Sequence, residues 1–366
     1  MRKFTETERA LLFLDGFRGL EYKYKKAFLD EAGEDGLKEI LRSPGDLVSF
    51  FGEMGNEKYA STLRLACEEK GFGDQMIARS LSAADDAVTL FSEDYPERLK
   101  NIPAPPLVLY CRGNVRLLGA ESAVGVVGSR KMLPSYLAKT EEISRELSAE
   151  GVCVVTGIAE GGDRAAVDGA LDGGNLISVL PGGLDCVYPS FHASLVDRIA
   201  EKGLVCTEQR AGTLPRNYLF PVRNRIIAGL TEGTLVAGGG ENSGVRHTAG
   251  FALDCGREVW CLPYGLGVSS GRLPIELVKN GAAVVESGEE ILFALGKEKK
   301  TETVRAETTE EEAAVLKFVA EGDGSLDGLV EKTGLAVPRL MTLLGMLELK
   351  GLCVREGDGY RALRTK

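Results

Sequence analysis

The sequence predicts an α/β protein built around a doubly wound, mostly parallel sheet, with an all-helical segment before it and a winged helix after it. Three observations carry that expectation. From residue 123 onward, short apolar runs of strand length alternate with amphipathic stretches of helix length, the pattern of a parallel sheet covered on both faces. Residues 1 to about 85 read as helical. Residues 308–366 read as three helices followed by strand, turn and strand.

Taken in chain order, Thr5 and Glu8 form a capping box ahead of the apolar run at 10–14. Helical patterns continue over 22–31, 37–41 and 59–70. Gly16 and Gly19 place a turn between the first two helices. It fits a helix-hairpin-helix whose turn amides face a phosphate, or a plain turn between packed helices. Residues 1–85 carry 13 basic and 16 acidic side chains, which favours the plain turn. Pro96, Pro103, Pro105 and Pro106 punctuate a connector that must run extended, because proline removes a donor and restricts the residue before it. A short strand at 107–110 follows. Strands are then expected at 123–127, 152–156, 176–180, 204–206, 234–237, 258–262 and 282–285. Helices are expected at 134–150, 162–172, 191–202, 223–230, 244–255, 274–279 and 289–295. Residues 297–307 are charged and nearly free of apolar side chains, as a linker is. Thr309 and Glu312 open the last segment with a second capping box, and Asp358-Gly359 marks its hairpin. The expected domains are 1–85, 86–296 (with 86–119 as connector and first strand), the linker 297–307, and 308–366.

At 366 residues the chain is sized for two or three domains. No apolar run reaches the roughly 18 residues of a membrane helix, and the first residues lack the apolar stretch of a secretory signal. A cytoplasmic protein is expected. The eight cysteines stand singly, mostly among apolar neighbours, and read as small buried hydrophobes. With His192 and His247 the only histidines, neither a metal site nor a cofactor is expected. The formal charge of −10, from 44 basic and 54 acidic residues, argues against a surface that coats nucleic acid along its length.

Local composition runs the other way. The first strand of the alternating region ends in Gly128-Ser129-Arg130-Lys131 just before a helix, where a glycine permits close backbone approach and two cations stand beside it. Neither a Walker loop nor a dinucleotide fingerprint is present. Residues 156–163 and 180–185 form two further glycine-rich crests. Three crests on one sheet edge suggest a floor of backbone amides, suited to a long polyanion. Between Gln209 and Thr231 stand Arg210, Arg216, Arg223 and Arg225 with no acid. Arg223 and Arg225 flank Asn224 in the first turn of the helix expected at 223–230, where cations oppose the helix dipole, so anion binding explains them better than helix stability. Ser129 lacks a nucleophile elbow, and nothing pairs Asp163, Asp168 or Asp185 into an acid–base couple. His247 reads as a structural histidine rather than a base.

These residues resemble the DNA-processing protein A family, DprA or Smf, over essentially the whole chain. The ordered motifs are Asp94-Tyr95-Pro96 with Pro105-Pro106, Val127-Gly128-Ser129-Arg130, Gly157-Ile158-Ala159, Gly183-Leu184-Asp185 with Tyr188-Pro189, and Phe220-Pro221 with Arg223-Asn224-Arg225 through Leu230. Ser243-Gly244 and Gly256-Arg257-Glu258 follow. The resemblance implies an extended Rossmann-like domain, with a SAM/helix-hairpin-helix-like domain before it and a winged helix after it. It implies a non-catalytic mediator that binds single-stranded DNA, protects it, helps load the RecA recombinase in natural transformation, and forms a homodimer. Gly128, Ser129 and Arg130 map to the family's phosphate pocket, and Arg223, Asn224 and Arg225 to its basic cleft. Ser243 and Gly244 join this DNA-binding set. Lys131 is added on local grounds, as is Tyr188, which reads equally as a stacking platform or a core tyrosine. Glu160 and Asn242 stand where the family carries cations, which implies weaker affinity or a narrower footprint.

Two other readings remain open at this level. The Pro181-Gly182-Gly183 turn is also similar to nucleotide phosphoribohydrolases, although Leu184-Asp185 departs from their motif. A transcription regulator would sense a nucleotide in the central domain and read duplex DNA with the winged helix. The winged helix carries 8 basic and 10 acidic residues, which favours a protein partner there over duplex DNA.

Overall fold

The first helix, α1 (Glu6–Gly16), starts where the capping box places it. Thr5 N–H donates to Glu8 Oε2 at 2.7 Å and Glu8 N–H to Thr5 Oγ1 at 3.2 Å. The structure is a computed structural model that describes all residues except 1, 18–19, 44, 54–59, 62–63, 65–71, 298–307, 321–323, 351, 357–358 and 363–366. Most of the helix expected at 59–70, nearly all of the linker, part of the Gly16–Gly19 turn and the tip of the hairpin lie outside the described residues.

α2 (Tyr22–Arg42) runs through both of the next expected helices, bent at Gly33, whose φ of 60° breaks the helical backbone. α3 (Gly45–Glu53) and α4 (Phe72–Leu81) follow. These helices do not form an isolated core. The buried cluster containing Leu11, Leu14, Phe28 and Leu37 continues into Val108 and Tyr110 of the sheet. Polar ties cross the same boundary: Tyr110 O–H donates to Asp15 at 2.8 Å, and Ser92 O–H to Glu8 at 2.6 Å.

Among the described residues the sheet has nine strands: β1 (Asp86–Thr89), β2 (Val108–Gly113), β3 (Ala123–Gly128), β4 (Cys153–Thr156), β5 (Leu176–Val179), β6 (Leu204–Thr207), β7 (Gly233–Gly238), β8 (Glu258–Cys261) and β9 (Ala283–Val284). Their order is β1-β2-β6-β5-β4-β3-β7-β8-β9. Pairing is parallel from β6 to β9, and β2 alone runs against the other strands, antiparallel to both of its neighbours, β1 and β6. The strand β1 was not expected; four residues with no alternation give little signal, and it forms by pairing with β2. The helices between strands are α5 (Glu97–Lys100), α6 (Pro134–Ala149), α7 (Gly162–Ala170), α8 (Ala193–Lys202), α9 (Leu219–Leu230), α10 (Val245–Asp254) and α11 (Arg272–Lys279), and α12 (Gly288–Ala294) follows the last strand. Strand order reverses after β3, so β4–β6 lie on one side of it and β7–β9 on the other. The crevice of such a sheet lies at the carboxyl ends of the strands beside that point.

Met1–Glu298 and Lys299–Lys366 are two compact units. The second contains α13 (Glu310–Ala320), α14 (Leu326–Thr333), α15 (Val337–Leu349) and the antiparallel hairpin β10 (Cys353–Glu356) and β11 (Gly359–Ala362). Its own core is Val315, Val319, Leu329, Leu340, Leu344 and Leu347. The second capping box forms as expected, with Thr309 N–H donating to Glu312 at 2.7 Å and Glu312 N–H to Thr309 at 3.2 Å.

Candidate nucleic-acid interface

The glycine crests are first a packing device. A Cβ on Gly128 would lie 2.8 Å from Gly162 Cα, and one on Gly161, whose φ is +88°, would fall on Ser129 O and Arg130. The crests after β3 and β4 therefore press together backbone to backbone. This close fit uses the amides that the sequence left for an anion. Gly128 N–H faces Asp163 Oδ1 at 3.4 Å, Ser129 N–H donates to Gly238 O at 2.8 Å, Gly162 N–H to Ser129 O at 3.2 Å and Gly183 N–H to Thr213 O at 2.9 Å. The expected amide floor is corrected at these four positions, whose amides are taken up by Asp163, by the carbonyls of Gly238 and Thr213, and by the crest carbonyl of Ser129.

Arg130 and Lys131 are exposed, and Ser129 is half-buried with its hydroxyl turned back to Lys131 O at 3.0 Å. Arg130 lines a cavity of about 70 Å³ together with Glu160, Tyr188, Phe220 and Arg223. That volume is far below the roughly 300–1,000 Å³ of ordinary small-molecule pockets. Tyr188 is 49% exposed and meets Phe220 edge-on at 6.1 Å between ring centroids, so it is a surface ring and not a core tyrosine. Glu160 brings an acid to this cavity, 2.6 Å from Nε2 of the buried His192. No local pattern signals that pairing, which spans 32 residues.

Arg223 and Arg225 are placed differently from the expectation. α9 begins at Leu219, with Pro221 inside its first turn, so both arginines sit in the second turn and the dipole argument does not apply to them. Arg223 is only 6% exposed. It donates to Val179 O and, at 3.0 Å, to Asn224 Oδ1, and it stands beside buried Asp163. Burial lifts the Asp163 carboxyl above its usual range, against the pull of Arg223 and the amides of Gly128 and Ala159. Arg225, 8% exposed, donates to Glu208 Oε2 at 2.5 Å. Glu208 immediately precedes the acid-free window, so a count of acids within the window could not reveal this partner. Asn224 donates to Gly244 O at 3.4 Å, and Ser243 accepts from Val245 N–H at 3.3 Å, which brings Ser243 and Gly244 to the start of α10 beside α9. The interface thus gathers Arg130, Lys131, Tyr188 and one edge of Arg223 at the crests, with Asn224, Ser243 and Gly244 alongside.

The aspartates near the crests are not assembled for acid–base work. Asp163 faces Arg223, Asp168 pairs with Arg164 at 2.8 Å, and Asp185 accepts from Gly212 N–H at 2.9 Å. A second cavity, of about 510 Å³, lies on the other side of α9, against the N-terminal helices.

These features define a class: a Rossmann-like α/β protein with a ring-and-arginine surface at the carboxyl ends of its strands and an appended winged helix. Residues 86–296 match the family model described as DNA recombination-mediator protein A, and residues 299–359 match that of the DprA winged helix domain. The chain is 34% identical over 211 residues to the DNA processing protein DprA of Bacillus subtilis, covering 57% of this chain and 71% of that one. It is 37% identical over 207 residues to the Streptococcus pneumoniae DprA, covering 56% and 72%. The solved structure of S. pneumoniae DprA superposes with a TM-score of 0.64 at 27% identity, over 80% of this chain and 98% of that one. A Helicobacter pylori DprA structure, described for its single-stranded DNA binding mode, gives 0.53 at 28% identity over 58% and 97%. The chain belongs to the DNA recombination-mediator protein A family, DprA or Smf.

Proposed function

We propose that this protein binds single-stranded DNA at the carboxyl edge of its sheet as a non-catalytic mediator of transformation and recombination, protects the strand, and hands it to the RecA recombinase as a homodimer in the cytoplasm. The observation that carries this is the pairing of exposed Arg130 with the exposed Tyr188 ring around a cavity too small for a free nucleotide-sized ligand. A cation for a phosphate beside a ring for a base is the minimum that a single strand needs. Family membership and the H. pylori relative's single-stranded ligand support the same reading. The winged helix is assigned to a protein partner rather than duplex DNA. On α15, Val337, Met341, Met346 and Leu349 are exposed, and an apolar helix face suits a protein better than phosphates.

Fluorescence anisotropy with a labelled oligothymidylate tests the reading. Arg130→Ala is expected to weaken binding at least several-fold, uniformly across sequences, because a phosphate contact carries no base preference. Unchanged affinity in that variant, with the thermal midpoint also unchanged, would remove the proposed site.

A further inference from the structure

The 510 Å³ cavity lies between two parts of the chain. One wall comes from the N-terminal helices, through Phe17, Tyr22 and Lys25; the other comes from the segment between β6 and α9 and from α9 itself. Its volume falls within the roughly 300–1,000 Å³ of small-molecule sites, unlike the cavity at Arg130. Its charge is positive: the described lining holds Lys25, Arg210, Arg216 and Arg225 against Asp15 and Glu208. Both carboxylates already have partners, Asp15 in Lys25 Nζ at 2.8 Å and Tyr110 O–H at 2.8 Å, and Glu208 in Arg225. Arg216 is exposed with no carboxylate partner among the described residues. The rim is aromatic and apolar without serving the core: Tyr218 is 69% exposed and Leu214 61%. In the wall behind, the Tyr22 hydroxyl and Arg225 Nη1 are buried with no hydrogen-bond partner among the described residues, which is uncommon for a finished interior.

Helix geometry links this cavity to the one at Arg130. Tyr218, Val222 and Arg225, spaced four and three residues apart, line the larger cavity, whereas Phe220 and Arg223 line the smaller. α9 is therefore a partition with one face toward each. The smaller cavity follows the ends of β3, β4 and β5; the larger adjoins the end of β6 and the start of β2, which are the next strands along. Neighbouring strands lie about 4.8 Å apart, so the two cavities are separated by roughly 10 Å along one sheet edge. We infer that the larger cavity seats a nucleotide unit, its phosphate on Arg210 and Arg216 and its base on the rings of Phe17 and Tyr218, and that the N-terminal helices thereby form a wall of the nucleic-acid path. The inference rests on the single-strand reading above for its primary source, a nucleotide within the bound strand; a free mononucleotide shares the same chemistry.

The test uses the full chain, with Arg216→Ala and Tyr218→Ala, both at exposed positions, and Arg130→Ala for comparison. Oligothymidylates of increasing length and free thymidine monophosphate are the probes. For a seat within the DNA path, the loss of affinity in Tyr218→Ala grows with oligonucleotide length and reaches about 5- to 100-fold, the effect of one lost base stack. Arg130→Ala weakens every length. If the source is a free nucleotide, wild type binds thymidine monophosphate saturably and Tyr218→Ala does not, while long oligonucleotides bind both equally. If neither probe distinguishes Arg216→Ala and Tyr218→Ala from wild type, the inference is overturned even where Arg130→Ala weakens binding. If Arg130→Ala is also without effect, the single-strand reading itself has failed. A bromodeoxyuridine oligonucleotide gives a second readout, since photocrosslinks to peptides containing Phe17 or Tyr218 are expected only for a strand seated in this cavity.

Discussion

Arg223 shows how one residue serves both fold and site. Its guanidinium reaches Val179 O and Asn224 and stands as the counter-charge to Asp163, which is itself buried against the glycine crests. Gly157 makes the room, since a Cβ there would lie 2.6 Å from Arg223 Nη1 and closer still to Asp163. Arg223→Ala would remove the main counter-charge of this buried carboxylate, at a cost on the order of 3 kcal/mol. It would also let burial raise the Asp163 pKa further. A carboxyl whose folded pKa lies above its unfolded value contributes stability that is present at low pH and lost as pH rises through the folded pKa. The stability deficit of Arg223→Ala is therefore expected to be smallest at acid pH and to grow toward neutrality, which urea unfolding across pH would measure; a deficit independent of pH would show that Asp163 does not depend on Arg223. At this scale the sequence was a partial guide. The motif residues Arg130, Tyr188 and Asn224 reach the expected edge, but an acid-free window counts only neighbours in sequence. Arg223 and Arg225 meet Asp163 and Glu208 through the fold, and Glu160 meets His192 in the same way.

The elements with strong local chemistry were legible and those defined by tertiary pairing were not. Both Thr–Glu capping boxes form, and each parallel strand falls within a residue or two of its apolar run, because burial on both faces, which all but the exposed edge strand β9 have, leaves a continuous hydrophobic signature. By contrast, β1 exists only through β2, and α9 begins four residues early because Pro221 is acceptable in a first turn although it reads as a breaker. The second capping box also carries a pH consequence. Hydrogen bonding from Lys350, then the Thr309 amide, holds Glu312 below the usual carboxylate range. Its contribution is thus present above the ordinary carboxylate pKa and lost as pH falls through the lower folded value. In the full chain, Glu312→Gln is expected to lower the thermal midpoint of the winged-helix transition at neutral pH and to flatten its decline in acid. An unchanged acid profile would assign that decline to other carboxylates.

For the whole molecule, a net charge of −10 and a DNA-binding role are compatible only if binding is local. The charge is divided as −3 over residues 1–85, 0 over 86–119, −6 over 120–296, +1 over 297–307 and −2 over 308–366, so no folded segment is basic in bulk. The fold makes the cations local in two ways. It pairs many of them, as Arg225 with Glu208 and Arg246 with Glu276, and it leaves Arg130, Lys131 and Arg216 exposed along the crest edge. A surface of this kind neutralises few phosphates. Each one neutralised on a single strand contributes about −0.7 to the slope of log affinity against log salt. About three contacts would give a slope near −2, well short of the slope of about −10 seen where a protein grips duplex DNA along its length. A rigid duplex carries charge on two backbones and would bring some of it against the acidic remainder of the surface. Single-stranded oligonucleotides are therefore expected to bind more tightly than duplexes of equal length at every salt concentration, with a shallow slope for the single strand. A slope several times steeper, or a preference for duplex, would mean that a second and more extensive basic surface does the binding and that the crest edge is not the main site.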